Sequence, residues 1–240
     1  MAPAEAGRAW LRLLGAGAAV GVGLVGPAHA QLSGSLSLQN DYRIRGASIS
    51  DKRPAVALTV SDDLSNGIYF GASVVGSDTH EEGSQILGHT EYLGYAHRNL
   101  SGLTWEVGVD NVDFEIYPEP TFHLSYSEAY VGLSNDNLSG RLYISPNYLQ
   151  DGLTVAYLDL NAIARPSDNW RLSGHLGRFE PLAGNARTPV RKGRWDVRVD
   201  VIRRIGPAEV NLGWTSAFPA AFPAPWRSSA GVLAGVSVFF

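Results

Sequence analysis

The chain has 240 residues, with 19 Lys and Arg against 23 Asp and Glu, a formal net charge of −4 and no cysteine. The acidic balance argues against nucleic acid as a partner. The lack of cysteine excludes a disulfide framework, a thiolate-held metal and a lipid-modified cysteine anchor.

Residues 1–30 read as a cleaved signal peptide. Arg8 and Arg12 precede an apolar run that reaches Val25, and "PAHAQ" puts the small residues Ala28 and Ala30 at the spacing a signal peptidase accepts. The run from Leu13 to Val25 is 13 residues, short of the roughly 20 that a spanning helix needs. Cleavage before Gln31 leaves residues 31–240 as one domain, with 17 basic and 22 acidic side chains and a net charge of −5. No later apolar run is long enough to span a bilayer as a helix, so an exported chain either stays free of the membrane or crosses it as strands.

From residue 31 onward the sequence alternates. In "QLSGSLSLQNDYRIRG", residues 31–46, Leu32, Leu36, Leu38, Tyr42 and Ile44 fall on one parity and Ser33, Ser35, Ser37, Asp41, Arg43 and Arg45 on the other. A period of two marks an extended strand with one apolar and one polar face. Val56, Leu58 and Val60 continue the pattern, then Ile68, Phe70 and Val74. The segment from His89 to Arg98 is the least clean; there Tyr92, Gly94 and Ala96 are assigned to the apolar face against Glu91, Leu93 and Tyr95. Next come Leu103–Val109, Ala129–Leu133, Leu142–Ile144, Ala156–Ala162, Trp170–Leu176, Trp195–Val201, Val210–Trp214 and Val232–Phe240.

These make twelve segments, and their links alternate in length. "DDLSN", "NLSG", "SNDN", "RPSDN" and "IGP" are short, whereas "GSDTHEEGSQIL", "EPLAGNARTPVRKG" and "FPAAFPAPWRSS" are long. Long amphipathic strands joined by short turns on one side and long loops on the other predict an all-β fold, a transmembrane antiparallel up-and-down β-barrel of 12 strands. It would sit in the bacterial outer membrane with both termini periplasmic. A soluble barrel or sandwich also alternates. Strand length, loop parity, and Trp105, Trp170, Trp195 and Trp214 on the apolar face as girdle residues weigh against it. The chain ends in "VSVFF", and a terminal aromatic such as Phe240 resembles the signal read by the barrel-assembly machinery. The expected partners are therefore that machinery, outer-membrane lipid and lipopolysaccharide, with no cofactor.

"NDYRIRGASISDKRPAVALTV" resembles the opening signature of the TorF-type porins, a family of bacterial conserved hypothetical barrel proteins, through Tyr42, Arg45, Gly46, Ser48, Pro54 and Ala55. "EYLGYAHRNLSGLTWEVGVDNVDFEIYP", "SEAYVGLS" and "RLYISPNY" are similar to its later blocks, although "EYLGYAH" departs from the regular tyrosine pattern. The resemblance implies fold and location more than a substrate.

With the apolar face outward, the predicted lumen carries the bases Arg43, Arg45, Arg141, Arg171 and Arg198. The predicted acids are Asp41, Glu91, Glu106, Asp110, Glu128, Asp159, Asp196, Asp200 and Glu209, joined by Tyr130, Tyr143, Tyr157, Asn161, His175 and Asn211. Nine acids against five bases predict a porin-like channel for small polar solutes or ions with a weak cation preference. Pairing of these charges across neighbouring strands would instead give a plugged barrel. A lipid-modifying enzyme would need a Ser–His pair with an orienting partner; His123 with Ser125 and His175 with Ser173 lack a convincing one, so no catalytic residue is assigned. "THEEG" with His89 and Glu91 fits no metal-ligand spacing, and no metal site is assigned. The 218–228 loop, "FPAAFPAPWR", is apolar and proline-rich where an outer loop is normally polar.

Overall fold

The structure, a computed structural model, describes residues 31–79, 83–115, 123–149, 151–184, 192–218 and 230–240. The signal-peptide segment and most of the 218–228 loop lie outside the described residues. The strands are β1 (Gln31–Gln39), β2 (Arg43–Ile44), β3 (Ala47–Ser48), β4 (Ala55–Asp63), β5 (Ile68–Thr79), β6 (Gly83–Arg98) and β7 (Thr104–Glu115). They continue as β8 (His123–Ser134), β9 (Leu138–Ser145), β10 (Thr154–Ser167), β11 (Trp170–Ala183), β12 (Arg194–Ile205), β13 (Ala208–Phe218) and β14 (Gly231–Phe239). Twelve of them close a barrel in which each strand pairs antiparallel with its neighbours; β2 and β3 form a separate two-stranded hairpin. Closure comes from β1, which pairs with β4 on one side (Gln39↔Ala55) and β14 on the other (Leu38↔Val236).

The predicted first strand thus runs only to Gln39, not to Gly46. Asn40 ends it: its backbone N still donates to Ala234 O (3.0 Å), and its side chain adds two bonds to β14, donating to Val232 O (3.0 Å) and accepting from Ala234 N (2.8 Å). The chain then leaves the wall and turns back at Arg45 and Gly46, whose φ values are 48° and 77°. Positive φ at both central residues is the two-residue turn that matches the twist of a hairpin. Such a turn preserves a period of two, so alternation carried the sequence reading past the true end of β1.

Outside, the wall is apolar. Leu36, Leu58, Val107, Val131, Leu172 and Val199 are among the side chains exposed there, while their sequence neighbours face the interior. On β11 and β12 the belt is bracketed by tryptophans that each carry a guanidinium, Arg178 over Trp195 (4.9 Å) and Arg203 over Trp170 (5.3 Å). Trp195 and Arg203 are separated on β12 by about 26 Å at roughly 3.3 Å per residue. A strand tilt of roughly 35–45° brings that to about 20 Å of height, close to the apolar band of outer-membrane barrels. Trp214 pairs with Val199 in mid-strand and is not a girdle residue.

Around β6–β8 the belt stops at the row Leu93–Val109–Ala129, and the next outward row is Glu91–Asn111–Ser127. Here the predicted faces of β6 are reversed. Glu91 stands outside, its side chain 61% exposed, 3.9 Å from His89, and Leu93 and Tyr95 are exposed with it. Tyr92, Gly94 and Ala96 turn inward because the β5–β6 pair interlocks there. The ring of Tyr69 lies over Gly94 and that of Tyr92 over Gly71, sites where any Cβ would collide with the ring. The link predicted as long after residue 76 is also mostly strand: β5 and β6 pair as far as Thr79↔Gly83, with a bulge at Leu87.

The remaining links follow the predicted parity. Residues 64–67, 99–103, 135–137, 168–169 and 206–207 are short turns at one end; the strand ends joined by the longer links, among them Gln39 and Ala55, Glu115 and His123, and Ser145 and Thr154, lie at the other. Toward that second end the interior is an apolar core that includes Val75, Leu87, Val112, Phe114, Leu124, Val155 and Phe179. Toward the short-turn end it is polar.

Candidate functional site

The hairpin of residues 41–52 folds into the barrel and crosses it. Its frame is built from its own polar groups: Arg43 pairs with Asp41 (2.6 Å), Ser48 Oγ donates to Asp41 (2.5 Å), and Tyr42 N donates to Ser50 Oγ (2.9 Å). Ile49, 1% exposed, and Tyr42, stacked on Phe114 at 5.7 Å, anchor it in the apolar core. At the tip, a Cβ on Gly46 would stand 2.8 Å from the Cβ atoms of both Asp196 and Ala217, so only glycine permits this approach to β12 and β13.

Arg45, next to that glycine, reaches the opposite wall. Its guanidinium pairs with Glu128 on β8 and lies over four rings, those of Tyr157 (4.1 Å), Tyr126 (5.1 Å), Tyr143 (5.5 Å) and Tyr148 (5.7 Å). A non-glycine residue in the left-handed conformation costs about 1–2 kcal/mol. Each desolvated cation–ring contact returns from about 0.5 to 2 kcal/mol, so the contacts outweigh the strain and explain an arginine where Asn or Asp is usual. Nη1 of Arg45 and Oδ1 of Asp110 are buried without a hydrogen-bond partner. Both residues line a cavity of about 200 Å³ between the hairpin and the wall, with Tyr42, Thr59, Tyr92 and Tyr130.

Apart from Glu91, the other predicted lining residues face the interior, mostly in pairs. Arg141 grips Glu106 through two bonds (2.6 and 2.9 Å), and Tyr69 donates to the same carboxylate (2.7 Å) while its hydroxyl meets that of Tyr130. Tyr130 lies over Gly108 as Tyr69 does over Gly94. His175 bridges Asp159 (3.2 Å) and Asp196 (2.8 Å), its Nδ1 also 3.0 Å from Asn161, and Tyr157 donates to Asp196 (3.1 Å). Arg198 forks onto Asp200 (2.7 and 2.8 Å), which also accepts from Asn211 (3.4 Å), and Arg171 holds Glu209 (2.5 Å). In these pairs, buried carboxylates and guanidiniums are tolerated because each is met by an opposite charge and by hydrogen bonds.

Three features escaped the sequence reading. Asp41, Arg43 and Arg45 reach the interior on the hairpin rather than on strand 1. Tyr69, Tyr126 and Tyr148 belong with the predicted tyrosines; Tyr126 shares the parity of Glu128, a signal that was available. Arg194, buried over Phe179 at 4.3 Å, is a sixth interior arginine. Eight of the nine predicted acids face inward; set against the five predicted arginines and Arg194, they leave an excess of two among these residues, where the same count from the sequence gave four. Ser173 Oγ points to Asp200 (3.4 Å), whereas His175 is engaged with its carboxylates and Asn161. Ser125 is exposed on the outer wall, and the side chain of His123 lies outside the described residues.

Two solved outer-membrane barrels share this architecture. A KdgM porin, solved in complex with disordered oligogalacturonate, aligns over 87% of this chain and 98% of its own at 10% identity and a TM-score of 0.50. A NanC porin aligns over 87% and 98% at 12% identity and a TM-score of 0.54. At these identities the likeness is one of fold. No curated protein matches the sequence. Residues 25–215 match the model of the Gcw_chp family, bacterial proteins of unknown function, and the chain belongs to that family.

Proposed function

We propose that this protein is a porin-like outer-membrane channel for small polar solutes or ions, obstructed at rest by its own 41–52 hairpin. One observation carries the reading. The obstruction is a separate two-stranded unit whose contacts with the wall are made by side chains, whereas the wall behind it is lined by tyrosines and charged groups. A barrel filled only by its own wall residues, the alternative expected for narrow barrels, has no need of such a unit. The likeness of fold to the KdgM and NanC porins supports the same reading. Lipid and lipopolysaccharide would contact the apolar belt, and both termini would face the periplasm beside the short turns. The excess of two carboxylates among these described lining residues supports a weak cation preference that fades as salt rises.

The test is single-channel recording of the refolded chain beside a variant in which residues 41–52 are replaced by a short Gly-Ser link. The native chain should conduct weakly or in rare openings, and the variant several-fold more. A variant that migrates as a folded barrel on unboiled gels yet carries no current would make this a closed structural barrel.

A further inference from the structure

Arg45 occupies its surroundings as a ligand occupies a site. Four tyrosine rings from β8, β9, β10 and the 146–153 loop surround one guanidinium, and Glu128 neutralises it. Rings over a cation with a carboxylate at its edge form the chemistry by which proteins recognise organic cations. The wall and the 146–153 loop supply all of these groups, and the hairpin supplies only the cation. Two further facts point to a binding site: Arg45 Nη1 and Asp110 Oδ1 are left without hydrogen-bond partners, and both residues line the 200 Å³ cavity beside the cage. Asp110 and Glu128 pair across β7 and β8, and Asp159 lines the same cavity, so a cation there would meet three carboxylates.

We propose that Tyr126, Tyr143, Tyr148, Tyr157 and Glu128 form a binding site for organic cations bearing a guanidinium or a comparable amine, and that Arg45 is its tethered occupant. In the channel reading, on which this rests, a free cation takes the cage when the hairpin withdraws, so the cage is both the seat of the plug and a selective step in permeation. The left-handed Arg45 fits this role, because its backbone strain is released when the hairpin withdraws while the cage keeps a cation.

The experiment is chemical rescue of the full-length Arg45→Ala protein with ethylguanidinium chloride, using sodium chloride at equal ionic strength as the control. Calorimetry in detergent should find saturable binding of ethylguanidinium to Arg45→Ala, and binding about tenfold or more weaker to the native chain and to Arg45→Ala/Glu128→Gln. In bilayers, Arg45→Ala should conduct more than the native chain, and ethylguanidinium should reduce that current while sodium does not. Binding in detergent without any conductance from either protein would keep the cation site and refute the channel. Conductance from Arg45→Ala with no ethylguanidinium binding would refute the site and keep the channel. If Arg45→Ala fails the gel-shift test of folding, Arg45→Gln, which keeps length but not charge, replaces it; absence of binding to that folded variant overturns the proposal equally.

Discussion

Outward rows of β12 allow a direct measurement of whether the apolar belt meets lipid. Val199 is 56% exposed and lies midway along β12 between Trp195 and Arg203, the residues that bracket the belt. Ile205, 55% exposed, shares its face but lies beyond Arg203 at the short-turn end. The two sites match in exposure and strand, so burial within the protein cannot separate them; depth in a bilayer can. Arginine at the midplane of a barrel's lipid face costs about 2–4 kcal/mol, falling to about 0–1 kcal/mol near the interface. Val199→Arg should therefore lower the unfolding free energy by about 2–4 kcal/mol, and Ile205→Arg by less than about 1 kcal/mol. Reversible denaturant unfolding in lipid vesicles, followed by tryptophan fluorescence, measures both. Asp200→Asn, one residue along on the inward face, is no control, because Asp200 is forked by Arg198 and that change removes an ion pair. Equal costs at residues 199 and 205 would refute a lipid-facing belt and return the fold to a soluble barrel.

Three further outcomes follow from packing. Gly46→Ala places a methyl against Asp196 and Ala217 at positive φ, which costs about 1–3 kcal/mol of overpacking and strain; trypsin should then cut faster after Arg43 or Arg45 in detergent, with the barrel intact. Gly108→Val displaces the ring of Tyr130 and should lower the denaturant midpoint of the whole barrel by the equivalent of about 1–3 kcal/mol, whereas Gly206→Ala, where nothing lies within reach of a Cβ, should cost no more than about 1–2 kcal/mol of turn strain. Deleting Phe240 removes the backbone pair with Gly34 (2.8 and 3.0 Å) that extends the β1–β14 seam, and assembly, read as appearance of the fast-migrating unboiled form, should slow.

The wall was legible in the sequence because its physics is local. Alternation, strand length and link parity each depend on a few adjacent residues, and together they give the strand number and the closed order. What failed depended on partners far along the chain. Residues 40–46 alternate as well as β1 does, and only Asn40 bonding to Val232 and Ala234, almost two hundred residues on, shows where the wall ends. Arg45-Gly46 is a poor match for the usual Asn-Gly hairpin turn, since the groups that favour arginine there lie on β8, β9 and β10. On β6 the parity was misassigned because Tyr92 looks apolar in isolation but is an interior residue fitted over Gly71. The tally of lumenal charge erred for the same reason. It included Glu91, missed Arg194, and gave no account of which charges neutralise each other.

That pairing ties the plug to selectivity. With the hairpin in place, the eight predicted carboxylates that face inward stand against the five predicted arginines and Arg194. The hairpin itself holds Asp41, Arg43 and Arg45, so in the proposed channel its withdrawal would leave seven of these carboxylates against four of these arginines, an excess of three rather than two. The change is also concentrated. Glu128 would lose the guanidinium of Arg45, its ion-pair partner among the described residues, beside Asp110 and Asp159 and within a wall of tyrosines where charges are poorly screened. On the proposed reading, an obstruction that neutralises the cage while closed would create a cation-attracting ring by opening. The variant with residues 41–52 replaced should therefore show a reversal potential in a salt gradient shifted further toward cations than that of the native chain's openings, with the difference shrinking as salt rises. A shift toward anions would mean that Arg141, Arg171, Arg194 and Arg198, not the vacated cage, set the field along the open path.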